Sequence, residues 1–129
     1  MIKDPKRIVI SRTDSIGDVI LTLPLAGIIK ERFPLATIIF LGNTYTKPII
    51  ACSEHVDEIW EWAELEKLEE EQRLDWLKAQ NIDTFLHIFP RKEIAKLVKK
   101  AKIPNRIGTS HRIYHWLTCN YRPNFTRKK

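Results

Sequence analysis

The chain has 129 residues, 43% of them hydrophobic and 29% charged, which is the composition of a globular protein with one core. No apolar run reaches the roughly 20 residues of a membrane-spanning helix, and the short run after the N-terminus cannot be a signal-peptide core. Cys52 and Cys119 form no CxxC pair, which favours free thiols over a disulfide framework. We therefore expect a single domain over residues 1–129 and a cytoplasmic location.

The net charge of +6 is distributed unevenly along the chain. Residues 1–53 hold seven basic and four acidic side chains (+3), residues 54–83 three and eleven (−8), and residues 84–129 twelve and one (+11). Clustered cations attract anionic partners, so the last block indicates a phosphorylated glycolipid, a membrane surface or a nucleic acid. The alternative is a set of solvated helix faces, which we favour for Lys96, Lys99, Lys100 and Lys102.

Apolar runs of strand length alternate with segments of helix length. The predicted strands are residues 8–10 with their flanks, 36–42, 57–62, 83–89 and 105–108. The predicted helices are a segment from the loop 12–17 to residue 32, residues 48–52, 63–80 and 92–101. Pro24 requires that the first helix either bends or begins near residue 22. This alternation predicts an α/β protein with a Rossmann-like, doubly wound, mostly parallel sheet and right-handed crossovers.

The first predicted strand runs into a polar loop that contains a glycine, and open α/β sheets bind their ligands outside the carboxyl ends of the strands. Gly17 permits a positive φ and a close approach of a ligand to the backbone. Asp18 occupies the helix start, where capping of free N–H groups explains it at least as well as catalysis. The loop matches neither GxGxxG nor GxxxxGK[ST], so no dinucleotide or ATP fingerprint is present.

The remaining loop residues allow two interpretations each. Arg12 could bind a substrate anion or pair with Asp14, and the Thr13 hydroxyl could serve a ligand or a local turn. Asp14 and Asp18 could hold Mg²⁺ in a phosphoryl-transfer domain. Two carboxylates without a third ligand are weak evidence for such a metal site.

Polar residues also follow the fourth predicted strand at the same edge of the sheet. His87, Arg91 and Lys92 could bind an anion there, or be a core histidine and a helix-start pair.

Two further groups of residues are explained better by packing than by ligand binding. The first group could share one helix face as a metal site, and the second could act as stacking surfaces. They are His111, His115 and Cys119, and Trp60, Trp62, Trp76 and Trp116.

Residues 12–24 (RTDSIGDVILTLP) resemble the N-terminal signature of glycosyltransferase family 9, the heptosyltransferases that extend the inner core of lipopolysaccharide. In that family a strand ends in Lys or Arg, a Thr/Ser-rich loop follows, and Gly-Asp opens a helix that carries a Pro several residues on. Weaker similarity extends over nearly the whole chain. It includes Phe33-Pro34, Val56-Asp-Glu-Ile, Ile82-Asp-Thr and Arg106-Ile-Gly108.

The resemblance implies the N-terminal, acceptor-binding half of a two-domain GT-B enzyme whose C-terminal donor domain this chain lacks. It implies inverting transfer, with Asp18 as the general base and Arg12 near acid or phosphate groups of the acceptor. The candidate substrate-binding residues at the sheet edge are Arg12, Thr13, Asp14, Gly17, His87, Arg91 and Lys92.

The implied partners are a lipopolysaccharide-type acceptor, the donor domain and, peripherally, the anionic inner membrane, but no nucleic acid. No cofactor is expected in this chain, because the nucleotide sugar, ADP-heptose, would lie in the donor domain, and the chain alone should be inactive. The alternative function is a non-catalytic Rossmann-like module that binds phosphorylated or nucleic-acid ligands through its basic C-terminal third.

Overall fold

The parallel strands anticipated from the sequence form one sheet in the computed structural model, which describes residues 4–108 and 112–113. The strands are β1 (Arg7–Ser11), β2 (Thr37–Gly42), β3 (Glu58–Glu61), β4 (Thr84–His87) and β5 (Asn105–Ile107). Their order is β3-β2-β1-β4-β5, and every neighbouring pair is parallel. The order reverses between β1 and β4, the place where open α/β sheets bind ligands.

The helices cover both faces of this sheet. They are α1 (Ile16–Arg32), α2 (Lys47–Ile50) after a 3₁₀ turn at Thr44–Thr46, α3 (Trp62–Glu66), α4 (Glu70–Ala79) and α5 (Lys92–Lys100). Alternate strand residues enter two separate cores: Ile8 and Ile10 pack with α1, whereas Val9 packs with α3, α4 and α5. Both faces of each central strand are therefore buried, which explains their unbroken apolar runs and confirms the Rossmann-like, doubly wound prediction.

The single helix expected over residues 63–80 is wrong. The helix is interrupted between α3 and α4, and Glu69 and Gln72 form a reciprocal capping box at the start of α4. The Arg73 side chain donates hydrogen bonds to the carbonyls of Leu65 (2.8 Å) and Leu68 (2.8 Å), which lie at and after the end of α3. These hydrogen bonds satisfy backbone N–H and C=O groups that the interruption of the helix would otherwise leave unpaired.

The first helix begins at Ile16 and contains Pro24, so a start near residue 22 is also wrong. The side chain of Thr22 donates to the carbonyl of Asp18 at 2.9 Å within this first part of the helix. The apolar residues Val19, Ala26 and Ile29 hold the helix against the sheet on either side of the proline. Tertiary packing therefore outweighs the local cost of the proline.

The described tryptophans pack as expected. The rings of Trp60 and Trp76 meet edge to face with centroids 4.7 Å apart, and Trp62 is buried under α4. Trp116 and the group His111, His115 and Cys119 lie outside the described residues. Within residues 4–108 and 112–113, no helix is long and apolar enough to cross a membrane.

Candidate active site at the carboxyl edge

Arg12, Asp14 and Asp18 form a charged cluster where β1 ends. The Arg12 backbone N–H still bonds to the carbonyl of Leu41 in β2 at 3.0 Å, so the loop leaves the sheet directly after this residue. The guanidinium meets Asp14 through Nε–Oδ1 (3.0 Å) and Nη2–Oδ2 (3.1 Å), and only the second contact has hydrogen-bond alignment. Nη2 also lies 3.3 Å from Oδ1 of Asp18. One cation therefore joins two carboxylates.

Asp18 is the more accessible of the two carboxylates. Its side chain is 44% exposed, against 17% for Asp14 and 20% for Arg12. Asp14 is thus a partly buried partner for the guanidinium, whereas Asp18 is more open to solvent. A carboxylate that is fixed on one side and open on the other can accept a proton from a ligand.

Ser15, and not Asp18, is the N-cap of α1. Its hydroxyl oxygen accepts the backbone N–H of Asp18 at 3.4 Å and donates its own hydrogen to Oδ2 of Asp18 at 2.7 Å. Asp18 occupies the third position of the helix and is fixed reciprocally by the cap, so the expectation that it caps the helix is wrong. The Ser15 hydrogen bond, followed by the charge of Arg12, holds the pKa of Asp18 below its usual range.

Two residues from the loop after β2 hold the site loop in place. The Asn43 side-chain amide donates to the carbonyls of Thr13 (2.8 Å) and Asp14 (3.1 Å), and the Tyr45 hydroxyl donates to the carbonyl of Asp14 (3.0 Å). Neither residue is among those predicted from the sequence for this site. The available signal was their position directly after β2, since the carboxyl ends of parallel strands meet at one edge.

Gly17 lies in the first turn of α1 and does not have a positive φ. A Cβ atom built at this position would meet no heavy atom within 4 Å. The glycine is therefore not required by internal packing or by backbone conformation. Its open surroundings fit the expected close approach of a ligand.

The structure brings Arg91 to the first loop. Its Nη1 donates to the hydroxyl of buried Thr13 at 3.3 Å, its Nη2 lies 3.4 Å from Glu93, and its guanidinium stacks over Trp62 at 5.9 Å from the ring centroid. These contacts connect the ends of β1, β3 and β4. Arg91 therefore stabilises the loop through its hydrogen bond to Thr13, in addition to any contact with a ligand.

Within the described residues, His87 and Lys92 form no hydrogen bond or ion pair with this cluster. His87 pairs in register with Ser11, and its ring packs on Phe85 at 4.7 Å, on the face of the sheet covered by α3, α4 and α5. Burial, and then the charge of Arg106, lower the pKa of His87, so the ring is neutral at pH 7. Lys92 is exposed at the start of α5.

The two carboxylates of the cluster share a cation that the chain itself supplies. The guanidinium of Arg12 stands between the carboxylates of Asp14 and Asp18, which is the space that a shared cation would use. Among the described residues, no three His, Cys, Asp or Glu side chains are grouped as metal ligands.

The fold and this edge site define a Rossmann-like α/β domain with its candidate site at the switch point of the sheet. No family model matches the sequence, and no curated protein matches it. Solved structures do share its fold, and they are glycosyltransferases.

A glycosyltransferase of family 9 from Veillonella parvula DSM 2008 superposes with a TM-score of 0.67 at 20% identity, over 82% of this chain and 32% of its own. The E. coli ADP-heptose lps heptosyltransferase II gives 0.66 at 22% identity, over 87% and 33%. An E. coli heptosyltransferase solved with ADP-2-deoxy-2-fluoro heptose gives 0.54 at 20% identity, over 79% and 34%. The chain therefore spans about a third of the length of these structures, and the predicted resemblance is confirmed at the level of the fold.

Proposed function

We propose that this chain is the N-terminal, acceptor-binding part of an inverting glycosyltransferase of family 9, with Asp18 as the general base. The observation that carries the proposal is the position of Asp18: ionised, open to solvent and fixed by Ser15 and Arg12 at the carboxyl edge of β1. The glycosyltransferase fold of the neighbouring structures supports the reaction class. The motif at residues 12–24 supports the family.

The proposed chemistry is a single displacement. The oxygen of an acceptor hydroxyl attacks the anomeric carbon of the donor sugar as the bond from that carbon to the nucleoside diphosphate breaks. The hydroxyl proton passes to Asp18, and the product has inverted configuration. No covalent glycosyl-enzyme intermediate forms.

The low pKa of Asp18 is compatible with this role when proton transfer accompanies attack. Ser15 and Arg12 stabilise the ionised form, which keeps the carboxylate ready to accept a hydrogen bond from the acceptor hydroxyl. Such a base is weak towards a free alcohol. As the attacking oxygen bonds to an oxocarbenium-like carbon, its proton becomes acidic enough for transfer.

Substrates and partners follow from the same proposal. The donor is ADP-heptose held by a second, C-terminal domain, and the acceptor is the inner core of a lipopolysaccharide. The protein then works in the cytoplasm, peripherally at the inner membrane, where the +11 charge of residues 84–129 favours anionic lipid. By this proposal the chain transfers nothing without the donor domain.

Reconstitution tests the proposal. This chain is combined with a family 9 donor domain, ADP-heptose and a lipopolysaccharide inner-core acceptor, and transfer is measured by mass spectrometry of the product. We expect transfer with the wild-type chain and a loss of about 100-fold or more with Asp18→Asn. Asp75→Asn, an exposed carboxylate on α4, is the matched control and should retain activity. Undiminished transfer by Asp18→Asn would show that Asp18 is not the base.

A further inference from the structure

Two exposed aromatic side chains follow strands at the carboxyl edge of the sheet, where the candidate site lies. The large apolar residues exposed in the described chain are Ile16, Ile20, Leu21, Ile28, Leu35, Tyr45 and Phe89. Two of them are aromatic, Tyr45 at 60% and Phe89 at 38% exposure, and both follow strands at the carboxyl edge. Exposed aromatic side chains beside a polar cluster are typical of ligand sites.

Hydrogen bonds link both residues to residues 11–14, the end of β1 and the start of the loop that leads to Asp18 in α1. The Tyr45 hydroxyl donates to the Asp14 carbonyl at 3.0 Å, on the β2 side of the loop. The Phe89 backbone N–H donates to the Ser11 carbonyl at 3.1 Å, on the β4 side. Because β1 lies between β2 and β4, the two aromatic residues stand on opposite sides of the loop.

The charge of the cluster restricts the ligand. Arg12, Asp14 and Asp18 together carry a net charge of −1, and the guanidinium already contacts both carboxylates. An anionic group would have to compete with them, whereas hydroxyl groups can donate hydrogen bonds to the open side of Asp18.

The aromatic rings would contact the apolar C–H groups of such a ligand, whereas Asp18 would contact its hydroxyl groups. The face of an aromatic ring is electron-rich and attracts C–H groups, which carry a small positive charge. A pyranose ring offers an apolar face of C–H groups together with a rim of hydroxyls. An acyl chain or an apolar peptide could use the rings but not the carboxylate.

We propose that Tyr45 and Phe89 are the two platforms of a sugar-binding subsite, on which the C–H faces of a pyranose acceptor rest while a hydroxyl reaches Asp18. The assignment of this sugar as the acceptor rests on the proposed function. Binding of the sugar itself rests on the exposure of the two aromatic side chains on either side of β1 and on the open side of the Asp18 carboxylate.

Ligand-observed NMR on the whole chain tests this subsite. The probes are methyl α-mannopyranoside and methyl α-glucopyranoside, and saturation transfer from aromatic protons to the ring C–H protons is measured over a titration. We expect Tyr45→Ala and Phe89→Ala each to weaken binding by about 3- to 10-fold, from the usual strength of an aromatic contact. Tyr45→Phe keeps the ring and should bind more tightly than Tyr45→Ala.

Leu35→Ala is the matched control. Leu35 is 96% exposed in the turn before β2, at the other edge of the sheet, so its removal should not change pyranoside binding. No binding of either pyranoside, or equal binding by wild type and both aromatic variants, would overturn the inference. Equal weakening by Leu35→Ala would show general apolar adhesion and would also overturn it.

The outcome is separable from that of the proposed function. Ring-dependent sugar binding without Asp18-dependent transfer in the reconstituted system would leave the subsite and remove the catalytic assignment. Asp18-dependent transfer with an unchanged KM for the acceptor in Tyr45→Ala and Phe89→Ala would do the reverse.

Discussion

Aspartates at the two edges of the sheet use their carboxylates in different ways. At the amino edge, Oδ2 of Asp57 accepts the backbone N–H of Ile38 (2.8 Å) and the ammonium of Lys30 (2.7 Å). Oδ2 of Asp83 accepts the backbone N–H groups of Lys6 (2.7 Å) and Arg7 (3.1 Å).

At the carboxyl edge, the Asp18 carboxylate contacts the side chains of Ser15 and Arg12 and, within the described part of the chain, accepts no backbone N–H group. Backbone N–H groups that lose an acceptor have no alternative partner in the chain, so the amino-edge carboxylates stabilise the fold. We therefore expect the Asp18 carboxylate to matter less for folding, and its open side can meet a ligand. The same residue type is structural at one edge and a candidate for function at the other.

The largest effect that would test this contrast is on activity. In the reconstituted transferase, Asp18→Asn should lower transfer by about 100-fold or more while its unfolding midpoint in urea stays near that of wild type. Asp57→Asn should show the opposite pattern, with lower stability and retained transfer per folded molecule. Equal effects of the two substitutions on activity would erase the distinction between the edges.

A second test concerns the free energy of unfolding. Asp83→Ala should destabilise the chain by about 1–3 kcal/mol, because the N–H groups of Lys6 and Arg7 lose a charged acceptor. Urea denaturation followed by circular dichroism measures the change. Asp75→Ala, at an exposed position of α4, should lie within about 0.5 kcal/mol of wild type. A neutral Asp83→Ala would mean that water replaces the carboxylate at no cost.

The pH dependence of stability should come in part from Asp57. Burial acts to raise its pKa, but the hydrogen bonds from Lys30 and Ile38 outweigh burial, so the pKa of Asp57 in the folded protein lies below its usual value. The group therefore stabilises the fold above its unfolded pKa and loses that contribution as the pH falls through the folded pKa. Urea midpoints measured from pH 6 down to pH 3 should fall more steeply for wild type than for Asp57→Asn. Parallel pH profiles would contradict this assignment.

The smallest expected effect is on the titration of Asp18. Ser15→Ala removes the main hydrogen bond to the carboxylate, so the pKa of Asp18 should rise towards its usual value. Arg12→Gln should also raise it, by less. Carboxyl ¹³C chemical shifts followed through a pH titration measure both changes. A pKa of Asp18 that is unchanged in Ser15→Ala would mean that the cap does not hold this side chain.

Most of the fold could be predicted because its signals are local. The runs at Ile8 and Ile38 are continuously apolar, as strands buried on both faces must be, and the helical segments between them imply parallel pairing. The break between α3 and α4 was missed, because a glutamate at position 69 is an uncommon cap and the flanking residues all favour helix. The start of α1 could not be predicted, because tertiary packing, and not the helix propensity of the residues around Pro24, decides where this helix begins.

Part of the site could be predicted for the same reason. Arg12, Asp14 and Asp18 lie within seven consecutive residues that follow a recognisable strand. Tyr45 and Phe89 come from loops far along the chain, and only the strand order places them on either side of that segment. His87 lies at the same carboxyl edge, but its side chain lies on the face of the sheet that α3, α4 and α5 cover. Its pairing in register with Ser11 fixes this direction.

The sequence by itself determined the α/β class, the position of the loop after β1 and the family that this loop resembles, since these depend on residues close together in the chain. The tertiary structure decided that Ser15 caps α1, that Arg12 joins Asp14 to Asp18, and that Arg91, Asn43 and Tyr45 support the loop. Arg91, Asn43 and Tyr45 reach the loop from the ends of other strands, and they hold the loop conformation in which the local contacts of Ser15 and Arg12 form. Such contacts exist only once the parallel sheet has brought its carboxyl ends together.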